Sequence, residues 1–246
     1  MNIILITGAT GQIGTELTRA LRSKYGGTNV IAAGHKREPD ESMVEGGPFC
    51  RIDVTEREVL EKVVTQYRVD TIFHLASLLS ADAENKPQLA WAVNVGGLFN
   101  VLEVARAHGC AVFFPSSIGA FGPLTPRDDT PQDTIQRPNT MYGITKVSGE
   151  LLCDYYHQRY GVDTRGVRYP GLISYQTPPT GGTTDYAVHI FHGAIRHGRY
   201  ECFLKQGTRL DMMYMPDAIK AASDLMEADS TRLVHRNGYK IGRAHV

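Results

Sequence analysis

Ile3-Ile-Leu-Ile-Thr-Gly8-Ala-Thr-Gly11-Gln-Ile-Gly14 stands at the start of the chain. An apolar run from Ile3 to Thr7 reads as a strand, and the helix-period segment Gln12 to Tyr25 follows it. Between them, glycines three residues apart permit a tight turn and close approach of a pyrophosphate to the N–H groups at a helix N-terminus. That reading sets Gly8, Gly11, Gln12, Ile13 and Gly14 against a dinucleotide. A glycine triplet alone is a weak signal, and its position between a strand and a helix strengthens it.

Outward from this turn, short apolar runs alternate with helical segments, the pattern of an α/β protein with a doubly wound parallel sheet of Rossmann type. Strands are expected at Asn29 to Ala33, Phe49 to Ile52, Asp70 to Leu75, Ala111 to Pro115 and Val162 to Tyr169. Helices are expected at Thr55 to Tyr67, from Pro87 to Gly109, and at Tyr142 to Tyr160. Ser77 to Asn85 reads as a loop, as does the proline-punctuated stretch from Ser116 to Asn139. Residues 1–170 are taken as the dinucleotide-binding domain, with some later segments returning to it. Residues 171–246 are taken as a smaller substrate-binding region, with a helix at Asp185 to His197, a strand at Tyr200 to Leu204 and a helix from Pro216.

Composition narrows the function. The 246 residues are 42% hydrophobic and 21% charged, and 26 basic residues balance 26 acidic ones. Zero net charge offers no long-range attraction to phosphate, which argues against a nucleic-acid binder. The first apolar run is too short to span a membrane, so a cytoplasmic enzyme of small-molecule chemistry is expected. Cys50, Cys110, Cys153 and Cys202 form no C-x-x-C pair and read as reduced thiols.

Asp53, followed by Val54, closes the third strand, where it suits an adenine amino group or a helix cap before Thr55. Dinucleotide folds that prefer NAD usually carry an acid about 20 residues after the glycines. Gly34 stands there, followed by His35-Lys36-Arg37, cations that suit the 2′-phosphate of NADP or a solvated loop. Tyr142-Gly-Ile-Thr-Lys146 sets a phenol and an ammonium one helical turn apart on one face. Free tyrosine titrates near 10, and reaching about 7 needs about 4 kcal/mol of preferential phenolate stabilisation. Ser116 and Ser117 leave a strand at its carboxyl end; Ser117 is preferred as the hydroxyl that holds a substrate oxygen, with Ser116 its competitor.

With the glycine turn, Ser117, Tyr142 and Lys146 in order, the chain resembles the extended short-chain dehydrogenase/reductases. Pro115-Ser-Ser-Ile-Gly-Ala-Phe-Gly-Pro123, Arg168-Tyr-Pro-Gly171, Gly181-Gly-Thr-Thr-Asp-Tyr-Ala187 and His235-Arg-Asn-Gly238 are similar to the short-chain type of L-threonine 3-dehydrogenase. The resemblance runs from Met1 to about Tyr239. It implies oxidation of the 3-hydroxyl of L-threonine to 2-amino-3-oxobutanoate with NAD. Tyr142 would be the general base, Ser117 would hydrogen-bond the developing carbonyl oxygen, and Lys146 would depress the tyrosine pKa and bind the nicotinamide ribose. It further implies substrate contacts from Ser80, Ser116, Thr183 and Thr184, and cofactor contacts from Asp53, Val54, Leu75, Ala76, Ser77, Asn94 and Tyr169. Gly34 departs from the aspartate of related sequences, which keeps NADP open beside the preferred NAD. A homodimer through the helices at 87–108 and around Tyr142 is implied, and a monomer stays open.

Two rival functions share these residues: a sugar-nucleotide epimerase or dehydratase of the same superfamily, and a non-catalytic cofactor-binding protein. His189, His192 and His197 lack the further ligands of a metal site, and no metal is expected. Trp91 and Tyr155-Tyr156 read as packing residues. The resemblance stops at Lys240, and Ile241-Gly-Arg-Ala-His-Val246 back-translates as ATC GGA AGA GCA CAC GTC, a sequencing-adapter stretch. Those residues are therefore expected to be foreign and the substrate region shortened.

Overall fold

A computed structural model of the chain describes residues 1–176, 182 and 184–241. The chain begins with β1 (Ile4–Thr7), α1 (Gln12–Tyr25), β2 (Val30–Gly34), α2 (Glu41–Glu45), β3 (Phe49–Arg51), α3 (Arg57–Tyr67) and β4 (Thr71–His74). It continues through α4 (Ser80–Asn85), α5 (Pro87–Ala90), a π-helical stretch at Trp91–Gly96, α6 (Gly97–His108) and β5 (Ala111–Ser117). Then come α7 (Met141–Tyr160), β6 (Thr164–Tyr169), β7 (Gly171–Ile173), α8 (Tyr186–His197), β8 (Met212–Tyr214), α9 (Met215–Glu227) and β9 (Tyr239–Lys240).

Among the described residues, seven parallel strands form the main sheet in the order β3-β2-β1-β4-β5-β6-β9, and β7 pairs with β8 in a separate two-stranded ribbon. The α/β fold is the Rossmann-type sheet expected from the glycine turn. Strand order reverses between β1 and β4, which opens a crevice above their carboxyl ends, where open α/β sheets take ligands. Each residue of β1 is buried, as a strand covered by helices on both faces must be. One core face packs Leu5, Ile72, Val112 and Phe114 against residues of α3, α6 and α7, and the other packs Ile4, Ile6, Phe73 and Phe113 against α1 and α9.

Helix ends follow local chemistry. Thr140 caps α7, its hydroxyl accepting from Gly143 N at 3.1 Å, and Gly109 and Gly161 end α6 and α7 in the left-handed region at φ 70°. Pro87 occupies the first turn of α5.

Three expectations are corrected. Ser80–Asn85 is a helix rather than loop, anchored by the buried Ala83. Tyr200 to Leu204 is not a strand, and Phe203 is 67% exposed there; the strand of this region is β8, which exists because it pairs with β7. Of the aromatics read as packing residues, Tyr156 is buried and Tyr155, 51% exposed, packs edge-on against it at 5.8 Å, but Trp91 is 48% exposed. Later segments do return to the sheet: β9 pairs with β6, and Tyr169 Oη at the end of β6 donates to Ala218 O of α9 at 2.7 Å.

Cys110 and Cys153 are buried, Cys50 is half-buried, Cys202 is exposed, and all four are free thiols. Among the described residues, no group of three metal-ligating side chains comes together and no helix is long and apolar enough to cross a membrane. Thr183 and the stretch after Ile241 lie outside the described residues.

Candidate active site

The glycine turn is closed by contact. Gly8 adopts φ +72°, and a Cβ there would stand 2.7 Å from Ala76 N; a Cβ on Gly14 would stand 2.3 Å from Gly8 O. Only hydrogen fits at these positions, so the start of α1 lies against the turn and against the loop after β4. The helix N-cap is Gly11, which lends no side chain, and no acidic residue stands in the first turn. Such an end, with its positive partial charge, suits a pyrophosphate. The residues present therefore fit a dinucleotide.

A cavity of about 420 Å³ opens beside this turn. Its wall includes Gly8, Gly11, Gln12, Ile13, Gly14, Leu75, Ser77, Ser80, Ser116, Ser117, Tyr142, Lys146, Tyr169 and Thr184, all read from the sequence. Asp53, Val54, Ala76 and Asn94 are not on it. Asp53 caps the chain before α3: its Oδ1 accepts from Thr55 N at 2.9 Å and Thr55 Oγ1 at 2.7 Å, and Oδ2 lies 3.4 Å from His35 Nε2. Val54 is buried against Gly97. Asn94 braces the loop after β4, accepting from Leu78 N at 2.7 Å and donating to Leu78 O and Thr145 Oγ1, both at 3.1 Å. Ala76 supplies the backbone against which Gly8 packs. Tyr169 spends its hydroxyl on Ala218, so only its ring faces the cavity.

The two serines part company. Ser116 Oγ donates to Glu150, which is held by a two-pronged ion pair with Arg168, at 2.9 Å (Nε to Oε1) and 2.7 Å (Nη2 to Oε2). Gln136 Nε2 adds a bond to Glu150 at 2.9 Å. Ser117 instead shares the cavity wall with Tyr142, and its Oγ accepts from Gly119 N at 3.1 Å. A Cβ on Gly119 would reach the Tyr142 ring at 3.2 Å, so that turn lies flat on the phenol.

Lys146 finds its hydrogen-bond acceptor in the backbone. Its buried ammonium donates to Pro115 O at 2.7 Å, and it lies over the rings of Phe114 and Tyr142, at 4.8 and 5.4 Å from their centroids. Burial has left the backbone carbonyl at the end of β5 as its partner. Burial pushes the Tyr142 phenol up to about 12, with the Ser117 bond opposing, and brings Lys146 down to about 8, with Glu150 opposing.

Sequence reasoning missed two features of the wall. Asp185 was read only as the start of a helix, yet its carboxylate lies at the cavity and accepts from Gly182 N at 2.7 Å. The Pro115 carbonyl is a backbone acceptor and leaves no trace in residue type. Beyond β2, a Cβ on Gly34 would come within 2.9 Å of Thr10 Cγ2 and 3.1 Å of Phe49 Cζ, so these neighbours fill the space a side chain would take. Arg51 Nη1 pins the following loop by bonds to His35 O at 2.7 Å and Arg37 O at 3.2 Å.

The NAD dependent epimerase/dehydratase family model matches residues 4–242. The chain belongs to this family. An uncharacterized epimerase/dehydratase of Staphylococcus haemolyticus is 56% identical over 241 residues, 98% of this chain and 76% of that protein. The X-ray structure of L-threonine dehydrogenase from Clostridium difficile is 58% identical, with TM-score 0.93 over 98% of this chain and 76% of its own. The holo form of a GalE-like L-threonine dehydrogenase from Cupriavidus necator is 50% identical, with TM-score 0.93 over 98% of this chain and 77% of its own. As a member of the epimerase/dehydratase family, the chain takes a nicotinamide dinucleotide.

Proposed function

We propose that this protein oxidises the 3-hydroxyl of L-threonine to 2-amino-3-oxobutanoate with NAD. The observation that carries the reading is the meeting of Ser117 and Tyr142 on the wall of a cavity bounded by the glycine turn. The threonine dehydrogenases described above support the substrate. Bound NAD supplies the hydride acceptor. Tyr142 Oη takes the proton of the substrate hydroxyl, Ser117 Oγ donates to the oxygen as it becomes a carbonyl, and Lys146 stabilises the phenolate and contacts the nicotinamide ribose. Ser80 and Thr184 contact the amino acid, whose ammonium and carboxylate need polar partners once buried.

NAD is preferred over NADP because of Asp53. Burial works against its charge, yet the bonds from Thr55 and the neighbouring His35 and Lys36 hold the carboxyl below its usual range, so it stays ionised. A 2′-phosphate approaching Lys36 meets that carboxylate. In this reading residues 1–170, with α9 and β9, carry the dinucleotide, and the segments around β7, α8 and β8 carry the substrate. The protein works as a homodimer through α6 and α7. Initial rates of NADH formation test the reading, with L-threonine set against UDP-hexoses and NAD against NADP. Turnover of L-threonine with NAD is the expected result. Conversion of a UDP-hexose without turnover of L-threonine would make the protein an epimerase or dehydratase.

A further inference from the structure

Glu150 and Arg168 form an ion pair almost sealed from water, the two residues being 4% and 6% exposed, and the chemistry above does not use it. Ion pairs removed from water seldom add stability over apolar side chains of the same size, because both charges lose their hydration. A pair kept there calls for another reason.

Its place in the fold supplies one. Arg168 stands on β6 in register with Ser116 of β5, and Ser117 is the next residue along. Strand alternation turns Phe114 and Ser116 toward α7, where Glu150 lies one turn beyond Lys146. These two side chains of α7 hold consecutive residues of β5: Lys146 Nζ donates to Pro115 O at 2.7 Å, and Glu150 accepts from Ser116 Oγ. The guanidinium is enclosed as well. It lies 5.5 Å from the centroid of the Phe121 ring, Nη1 donates to Gln132 O at 2.9 Å, and a Cβ on Gly238 would come within 2.8 Å of Nη2. Ser116 and Phe121 flank the turn that carries Ser117. Within that turn, a Cβ on Gly119 would stand 3.2 Å from Cδ1 of Tyr142 and 3.4 Å from Ser117 Oγ. One ion pair therefore touches both ends of the turn that brings Ser117 and Tyr142 together.

We infer that Glu150 and Arg168 are positioning residues, an ion pair that clamps the turn between Ser116 and Phe121 so that the Ser117 hydroxyl is held against Tyr142. The inference rests on the reading of Ser117 and Tyr142 as the working pair. The reach of the carboxylate matters as much as its charge. Glu150 meets Arg168 with both oxygens, at 2.9 and 2.7 Å, and still accepts from Ser116, which sets the distance between α7 and the end of β5. A hydroxyl misplaced by about 1 Å loses much of its hold on a developing carbonyl oxygen, and that loss falls on kcat rather than on dinucleotide binding.

The test takes the full chain with two substitutions that leave the charges in place. Ser116→Ala removes the hydroxyl that Glu150 grips, and Glu150→Asp keeps the carboxylate but shortens its reach. Each should lower kcat for L-threonine about tenfold, while KM for NAD and the midpoint of the pH profile stay at the parent values. Each should also speed amide exchange at residues 117–121 about threefold, read by mass spectrometry without added dinucleotide, with exchange in β1 unchanged. Unchanged exchange overturns the inference: with kcat intact the pair serves stability alone, and with kcat lowered Ser116 acts on the substrate directly. Faster exchange at the parent kcat overturns it too. So does a shifted pH midpoint in Glu150→Asp, because the carboxylate would then act through the charge of Lys146. Should Glu150→Asp fail to fold, Ser116→Ala decides alone. If exchange speeds up as expected in a protein that forms no NADH from L-threonine, the clamp stands and the dehydrogenase reading falls.

Discussion

Tyr142 illustrates what one residue demands of its surroundings. Bringing its phenol from about 12 to about 7 requires about 7 kcal/mol of preferential phenolate stabilisation. A unit charge about 5 Å away, at an effective dielectric of about 20, supplies about 3 kcal/mol. Lys146 therefore provides less than half, and the rest is assigned to the positive nicotinamide, since the value of about 12 already includes the lowering by Ser117. Replacing Lys146 by Met should lower kcat about a hundredfold at neutral pH, measured against the parent at saturating threonine. His74 makes a separate, pH-dependent contribution to stability. The unfolded imidazole takes up a proton below about 6.5, whereas the folded one resists until about 3. Its contribution is thus complete above about 6.5 and is lost as pH falls, at up to about 1.4 kcal/mol per pH unit. Thermal unfolding of His74→Gln should depend less steeply on pH between about 6 and about 4 than that of the parent. Equal slopes would mean that the histidine is not held neutral. Residue types in sequence carried Tyr142, Lys146 and the serine pair to the cavity. They did not carry the choice between Ser116 and Ser117, because that depends on which serine faces Glu150 of α7, a contact 34 residues away.

Among the elements, the glycine turn was the most legible, since its function and its folding make the same demand for absent side chains. Gly14→Ala puts a methyl 2.3 Å from Gly8 O and 2.7 Å from Ala9 Cα, both backbone, so no rotamer relieves it. The start of α1 has to move, and NADH affinity measured by calorimetry should fall at least tenfold. Unchanged affinity would show that the turn does not hold the cofactor. Longer strands and helices were legible from period and caps. The shortest elements were not: α4 buries one residue, Ala83, too few for a helical period to show. The three-residue strands β7 and β8 hold each other across some forty residues of chain. At Tyr200 to Leu204 a strand-like composition found no partner strand, and Phe203 was left outside.

Across the whole molecule, the reversal between β1 and β4 sets where the crevice opens, and the outer surface carries large exposed apolar side chains. Ile144, Leu151 and Tyr155 lie on one face of α7 and are 41%, 64% and 51% exposed, while Trp91 and Phe99 are 48% and 46% exposed in the helical stretch before them. A homodimer through this surface should give a mass of 2 × 27.2 = 54.4 kDa by light scattering. Leu151→Glu should return it to the mass of one chain, and a parent already at that mass would remove the dimer. Balanced charge was the property of the whole chain most easily read, and it agrees with a site built for a small polar substrate. The central claim is hydride removal from C3 of L-threonine, and L-threonine carrying deuterium at C3 tests it most directly. In a single turnover the account predicts that the deuterium appears in the reduced dinucleotide and that Tyr142→Phe lacks the burst. Reduced dinucleotide free of deuterium, or none formed from L-threonine, would contradict it.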